Sequence, residues 1–316
     1  MKVAVVGAGA MGCRFGAALG ESGRDVTLVD PWLAHVQVMQ RQGGLLVDDE
    51  QGTRLVKLKA TTPEASTEQP DLIIVFGKAM QTERLITAVA HLIGPSTVVL
   101  TLQNGLGNVE TISTVVPRER IVAGVTTIGT ELLGPGHVRS LGDGNTQVMQ
   151  VDGASGASST TVLDAFAGSA IAVTESSDVA TTIWQKVAFN AVLNTLCTLA
   201  SVPVSALRSY PEFPNLADAI IEEIVQVGAA EGVVVDKAAV WATIVKATDP
   251  TMSGHHLPSM LQDLLSQRAT EIDYLNGAVV RRGARHDIPT PVNTVIAHLV
   301  RLAEATRSER VTSLHG

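Results

Sequence analysis

Lys186, Asn190 and Asn194 recur at i, i+4 and i+8 along Ile183-Trp-Gln-Lys-Val-Ala-Phe-Asn-Ala-Val-Leu-Asn194, so a helix places all three on one face. The residues between them, Val187, Ala188, Phe189, Ala191, Val192 and Leu193, are apolar, which buries most of that helix. A lysine in such surroundings needs a partner or a task, because an unpaired buried charge is expensive. Asparagines are mediocre helix formers and cost stability unless they hydrogen-bond something. A solvated polar stripe therefore explains the pattern poorly. A functional role for the three residues explains it better.

A second constellation opens the chain. Gly7-Ala8-Gly9-Ala10-Met11-Gly12 follows the buried strand Val3 to Val6 and leads into a helix pattern from Ala10 to Gly20. This is a Gly-x-Gly-x-x-Gly turn with the physics of phosphate binding. Gly7 permits the tight turn, Gly9 lets backbone approach a pyrophosphate, and Gly12 lets helix pack on strand. The helix start then offers N–H groups and a positive dipole end to the anion. Asp30 ends the next strand at the distance expected for an acid that binds the adenosine ribose hydroxyls. Such a carboxylate favours NAD(H) and repels a 2′-phosphate; NADP(H) stays open. Asp30-Pro31 also reads as a helix start, and both roles can hold at once.

Other groups are weaker alone. Lys78 and Asn104 fall just after strands ending at Phe76 and Leu102, at the carboxyl ends where ligands bind in open α/β sheets. A solvated lysine and a turn asparagine are the competing readings. Ser259 follows Pro258 and reads as a helix N-cap, and Glu271 as a favourable charge near a helix start. His255 and His256 lack metal-ligand spacing, so no zinc site is expected. Neither a Gly-x-Ser-x-Gly elbow nor a Gly-Lys-Ser/Thr phosphate loop is present.

These groups need a scaffold, and the pattern along the chain supplies it. Strands at Val3–Val6, Asp25–Asp30, Asp71–Phe76 and Thr97–Leu102 alternate with helix patterns at Pro31–Gln42, Ala79–Leu92 and Gly107–Val115. Leu45 to Lys59 alternates around Glu50-Gln-Gly52 as an antiparallel excursion. Strand-like segments follow at Ile121–Ile128, His137–Leu141 and Thr146–Val151. After the small polar run Gly153–Ser159 comes a helix at Thr161–Ala167. Beyond Asp178 only helix patterns remain: Val179–Ala200, Asn215–Glu231, Lys237–Ala247, Ser259–Gln267, Glu271–Arg285 and Thr290–Ala305. The expected architecture is α/β, a doubly wound Rossmann sheet over residues 1–175 followed by an all-α domain over 176–316. Arg307 to Gly316 reads as a frayed end.

Composition narrows the partners. The 316 residues are 45% hydrophobic and 17% charged, with a net charge of −8 and no basic block, which argues against nucleic acid or an anionic membrane. No apolar run suits a membrane span, and residue 3 is already core, so no targeting peptide is expected. Cys13 and Cys197 have neither disulfide nor zinc spacing. A cytoplasmic protein is the natural expectation. Oligomeric state is not legible, although a face of the helical domain could support a homodimer.

Taken together, the chain resembles the ketopantoate reductase family, the 2-dehydropantoate 2-reductases, over nearly its whole length. The resemblance rests on Gly7-Ala-Gly-Ala-Met-Gly12, Gly77-Lys-Ala-Met-Gln81, Gln103-Asn-Gly-Leu-Gly107, Trp184-Gln-Lys-Val-Ala-Phe-Asn190 with Asn194, and Ser259-Met-Leu-Gln-Asp263 followed by Thr270-Glu-Ile-Asp-Tyr-Leu-Asn-Gly277. It implies a Rossmann domain, a helical domain and an active site in the cleft between them. It implies that Lys186 is the catalytic proton donor, with Glu271 as its partner, and that Asn190, Asn194 and Ser259 bind substrate. Lys78 and Asn104 would lie at the cofactor–substrate junction. The implied reaction is hydride transfer from a nicotinamide cofactor to C2 of ketopantoate, giving pantoate for pantothenate biosynthesis.

Two departures matter. Members that use NADPH carry a basic residue near the end of the second strand, where this chain has Asp30-Pro31. Pantoate-forming members tend to carry an asparagine where this chain has His256. Both features resemble a branch of NAD-dependent D-2-hydroxyacid dehydrogenases acting on C3-branched 2-keto acids such as phenylglyoxylate, the D-mandelate dehydrogenases. A non-catalytic NAD(P)-binding sensor is the reading from a different class.

Overall fold

The computed structural model describes residues 1–152, 156–253 and 256–309. Residues 153–155 of the small polar run, residues 254–255 with His255, and the end of the chain beyond residue 309 lie outside the described residues. Two compact units divide the chain, Met1–Val179 and Ala180–Gly316.

In the first unit, β1 (Lys2–Val6), β2 (Asp25–Val29), β5 (Lys59–Thr61), β6 (Leu72–Val75), β7 (Val98–Thr101) and β8 (Ile121–Thr126) run parallel. The remaining strands are β3 (Leu45–Asp49), β4 (Gly52–Val56), β9 (Thr130–Gly134), β10 (His137–Ser140), β11 (Thr146–Gln150) and β12 (Val173–Glu175). The main sheet has the order β12-β11-β8-β7-β6-β1-β2-β5, with β11 antiparallel to β8. The chain leaves β1 toward β2 and β5, then returns to β6 on the other side. The β1/β6 boundary is therefore a topological switch point, the place where such sheets bind ligands. The small sheet has the order β4-β3-β10-β9.

Alternation along β1 explains the double winding, because successive side chains point to opposite faces. Val3 and Val5 pack with Phe15, Leu19, Val162 and Phe166 from α1 (Ala10–Glu21) and α5 (Ala157–Phe166). Ala4 and Val6 pack with Leu85, Ile86 and Ile112 from α3 (Thr82–Ala88) and α4 (Asn108–Ile112). Between α1 and α3 in the chain lies α2 (Leu33–Gln42).

The second unit is helical: α6 (Val179–Ala200), α7 (Phe213–Ala230), α8 (Lys237–Ala247), α9 (Pro250–Ser253), α10 (Ser259–Leu265), α11 (Asn276–Arg285) and α12 (Pro291–Ala305). No helix of the described residues is long and apolar enough to cross a membrane.

Three expectations from the sequence are corrected. The helix expected over Ala79–Leu92 is a 3-10 turn at Ala79–Gln81, the short α3, and another 3-10 turn at Ala90–Leu92. The Gln81 side chain accepts the Lys78 N–H at 3.2 Å and tightens the first turn, while β-branched Ile86, Thr87 and Val89 crowd the end. The helix expected over Glu271–Arg285 is broken at Leu275, after a 3-10 turn at Ile272–Tyr274. That break turns Asn276 wholly inward, where its Nδ2 donates to Asn293 Oδ1 at 3.0 Å and to the Ala191 carbonyl of α6 at 3.3 Å. Ser259 is not an N-cap: extended Pro258 holds that position and Ser259 is the first helical residue, exposed to solvent. The three-residue strands β5 and β12 carry too few residues to announce themselves by periodicity.

Burial of Asn276 belongs to a larger polar network. Glu223 of α7 accepts the Val292 and Asn293 N–H groups at 2.8 and 2.9 Å, and Asn293 Nδ2 at 2.7 Å, capping the start of α12 from another helix. Asn293 then meets Asn276, and Asn276 meets α6. Removing the carboxylate takes an acceptor from three donors at once, two of them backbone N–H groups at the start of α12. Glu223→Ala is expected to lower stability by about 2–4 kcal/mol, read as a lower urea midpoint with an unchanged m-value; an unchanged midpoint would show that the network carries no stability.

Candidate functional site

The carboxyl edge of the main sheet gathers the first set of candidates. Val6 pairs with Val29 and with Val75, and Val75 with Thr101, so the four strands end level. The segments that follow them, Gly7–Gly12, Asp30–Trp32, Phe76–Lys78 and Leu102–Asn104, leave the sheet together.

At the glycine turn the space is decided by backbone. Gly7 has φ +89°, and a Cβ there would stand 1.4 Å from the Phe76 carbonyl oxygen. A Cβ on Gly12 would stand 2.1 Å from the Gly7 carbonyl oxygen. Gly9 differs: nothing lies within 4 Å of a Cβ placed on it. It is the N-cap of α1, and no side chain caps that helix start. Open space before backbone N–H groups at the positive end of a helix suits a pyrophosphate. Ala8, Ala10 and Met11 complete the turn.

Asp30 is half-buried and fixed at both oxygens. Its Oδ2 accepts the Ala8 N–H at 2.7 Å and its Oδ1 accepts the Trp32 N–H at 2.8 Å. The helix-start reading is corrected: α2 begins at Leu33 with Trp32 as its N-cap, so Asp30 lies before the helix and closes a turn by accepting the Trp32 N–H. Each carboxylate oxygen keeps a second lone pair for a ribose hydroxyl.

Beneath the turn lies support that sequence inspection missed. The Cys13 thiol donates to the Ala8 carbonyl at 3.1 Å and lies 3.5 Å from His35 Nε2. Burial, then the charge of Asp30, pushes the Cys13 pKa far up, so it stays a thiol. Burial lowers the His35 pKa against the pull of Asp30. Because Nδ1 accepts the Gly136 N–H at 2.9 Å, the neutral ring carries its proton on Nε2. Nothing in the spacing of Cys13, His35 and Gly136 announces this contact, since it joins positions far apart in the chain.

Lys78 and Asn104 are tied into one frame by a residue not singled out from sequence, Gln103. Its Nε2 donates to the Gly77 carbonyl at 3.0 Å and to Thr82 Oγ1 at 2.9 Å. Thr82 in turn donates to Asn108 Oδ1 at 3.0 Å, and Asn108 Nδ2 to the Asn104 carbonyl at 3.0 Å. Lys78 and Asn104 are both half-buried. A cavity of about 540 Å³ opens beside the end of β8, lined by Arg14, Thr127, Asp143 and Asn145 among others. None of the residues singled out from sequence lines it.

The second set belongs to the helical unit. Lys186 and Asn190 are half-buried on α6, Asn194 is buried, and the neighbouring Val187, Ala188, Ala191 and Val192 are wholly enclosed. Glu271 is buried just before the 3-10 turn that precedes α11. Desolvation lowers the Lys186 pKa from 10.5 to about 8, against the opposing charge of Glu271. An ammonium tuned this way is a proton donor near neutral pH. Ser259 stands exposed at the start of α10, and exposed His256 accepts the Val204 N–H on its carbonyl at 3.1 Å. Among the described residues no group of His, Cys, Asp and Glu could hold a metal ion.

Comparison with known proteins shows the family. The family model described as "Ketopantoate reductase PanE/ApbA" matches residues 3–153, and its C-terminal counterpart matches residues 178–304. A 2-dehydropantoate 2-reductase of Streptococcus pyogenes serotype M3 is 34% identical over 306 residues, covering 96% of this chain and 98% of the relative. One from Lactococcus lactis subsp. lactis is 33% identical with the same coverage. Among solved structures, D-mandelate dehydrogenase in a ternary complex with NADH and anilino(oxo)acetate is 35% identical, with TM-score 0.92, covering 98% of this chain and all of that one. A PanE/ApbA family ketopantoate reductase from Ralstonia eutropha JMP134 is 31% identical, with TM-score 0.88 and the same coverage.

The glycines separate two kinds of failure. Gly9→Ala should fold with stability within about 0.5 kcal/mol of wild type, yet bind a dinucleotide roughly 10- to 100-fold more weakly. Gly7→Ala should fail to fold or lose several kcal/mol, because no relaxation short of moving β6 makes room. Thermal melts and titration with the dinucleotide read both; a Gly9→Ala protein with wild-type affinity would remove the turn from the binding site.

Proposed function

Since this chain belongs to the ketopantoate reductase family, we propose that it reduces the C2 carbonyl of a C3-branched 2-keto acid, ketopantoate to pantoate, at the expense of a reduced nicotinamide cofactor. The observation that carries this reading is the Lys186 ammonium, tuned to a pKa of about 8 on a helix whose same face carries Asn190 and Asn194.

The cofactor, when bound, supplies the hydride that the C2 carbonyl carbon accepts. Gly7 to Gly12 would hold its pyrophosphate, Asp30 its adenosine ribose, and Lys78 and Asn104 its end nearest the substrate. As the carbonyl oxygen becomes an alkoxide, Lys186 stabilises the charge and delivers its proton to that oxygen. Glu271 keeps Lys186 charged by opposing the effect of burial. Asn190, Asn194 and Ser259 orient the carboxylate and any C4 hydroxyl. NADH is the favoured donor, because a 2′-phosphate would meet the carboxylate of Asp30. Asp30 together with the likeness to D-mandelate dehydrogenase favours a second reading, reduction of phenylglyoxylate by the same machinery. Buried free cysteines at 13 and 197 suit a reducing, cytoplasmic setting.

Oxidation of NADH and of NADPH, each measured with ketopantoate, phenylglyoxylate, 2-ketoisovalerate and 2-ketoisocaproate, tests the assignment. Ketopantoate with NADH is expected to give the highest kcat/KM. Oxidation of neither cofactor with any of the four acids would leave the non-catalytic sensor. Lys186→Ala is expected to lower kcat by about 10²- to 10⁴-fold; unchanged turnover would exclude Lys186 from the mechanism.

The pH profile carries a sign. Lys186 donates only when protonated, so keto acid reduction should hold below about pH 8 and fall above it. Oxidation of the hydroxy acid needs the free amine and should rise through the same range. In Glu271→Gln the charge that raised the lysine pKa is gone, so the alkaline limb should move to lower pH. A limb that stays in place would show that Glu271 does not tune Lys186.

A further inference from the structure

Trp32 remains 44% exposed at the carboxyl edge of the main sheet, two residues beyond Asp30. Leaving an indole this far in water forgoes the burial its size normally brings. It is nonetheless held firmly. Its ring lies against the imidazole of His35, centroids 4.9 Å apart and planes within 4° of parallel. That imidazole is buried, anchored by the Gly136 N–H on one nitrogen and facing the Cys13 sulfur with the other. The Trp32 backbone is fixed as well, since its N–H donates to Asp30 Oδ1 while Asp30 Oδ2 accepts from Ala8. One carboxylate therefore couples the glycine turn to the position of the indole.

We propose that Trp32, backed by His35, is the platform on which the adenine ring of the dinucleotide stacks. The inference rests on the reading that Gly7–Gly12 and Asp30 bind a nicotinamide dinucleotide. With the pyrophosphate at Gly9 and the ribose hydroxyls at Asp30, the base hangs from the ribose carbon next to those hydroxyls. It must lie beside Asp30. The exposed residues that follow Asp30 are Pro31, Trp32, Leu33 and Ala34, and among these only Trp32 offers a flat aromatic face. His35 occupies one face of the indole, which leaves the other for a purine. The result is a stack of imidazole, indole and adenine, in which the buried ring keeps the exposed one from swinging aside. Ordering the indole before the ligand arrives reduces the entropy lost on binding.

The test separates the two halves of the cofactor. Affinities of wild-type, Trp32→Ala and Trp32→Phe proteins are measured for NADH, for ADP-ribose, which lacks the nicotinamide, and for reduced nicotinamide mononucleotide, which lacks the adenosine. Trp32→Ala should bind NADH and ADP-ribose roughly 5- to 100-fold more weakly, the range of base–aromatic stacking, and the mononucleotide as wild type does. Trp32→Phe keeps a ring and should recover most of the loss. ADP-ribose should also quench a part of the wild-type indole fluorescence that is missing in Trp32→Phe. Unchanged ADP-ribose affinity in Trp32→Ala, or an equal loss for all three ligands, would overturn the proposal. Wild-type protein that binds none of the three would overturn the dinucleotide reading itself, and this inference with it.

Discussion

At the end of β1 the backbone has no room for a side chain, because a Cβ on Gly7 would fall 1.4 Å from the Phe76 carbonyl oxygen. The approach is not incidental. Phe76 donates its N–H to the Val6 carbonyl at 2.7 Å, and Gly7 donates to the Val29 carbonyl at 2.9 Å, so three strand ends close on one point. Gly12 then brings α1 down onto the Gly7 carbonyl. With the turn seated this low, Gly9 is left as the open position at the helix start. Asp30 and Cys13 lock the same turn through the N–H and the carbonyl of Ala8. Everything that would position a dinucleotide in this unit follows from that packing of backbone on backbone.

The helical unit solves a different problem by different means. There the candidate residues are polar side chains on a helix whose neighbours are apolar, and desolvation is the dominant force. It lowers the Lys186 pKa into the range where proton transfer is useful, and Glu271 limits how far. Such a helix must also be held in register, or its polar face turns away from its task. Asn276 reaches the carbonyl of Ala191, the residue after Asn190, and is itself fixed by Asn293, which Glu223 holds in turn. A buried polar network costs stability unless every member is satisfied. Among its atoms Asn276 Oδ1 has no hydrogen-bond partner, which leaves the network with one unmet acceptor.

Charge is distributed to match. The chain carries a net charge of −8, an unhelpful field for an anionic keto acid. In the proposed site attraction would come from groups close to the ligand: a desolvated ammonium, amide donors, and helix-end N–H groups. Short-range donors in a poorly solvated setting outweigh a distant field that salt screens within about 10 Å.

Much of this was legible in the residues alone. Periodicity gave the bounds of α6 and α8 as they stand, at Val179–Ala200 and Lys237–Ala247. It placed the core strands, because local side-chain patterns record which face meets the core. The glycine turn was readable because close backbone approach at Gly7 and Gly12 admits one residue type. What the sequence could not disclose depends on residues far apart in the chain. β5 and β12 exist only because a neighbouring strand offers them hydrogen bonds. The break at Leu275 exists because Asn276 has buried partners on α6 and α12. Gln103 joins two loops, and His35 backs Trp32, through contacts that no spacing encodes. The Lys186 pKa, above all, is set by how completely other segments exclude water from it, and that only the folded chain decides.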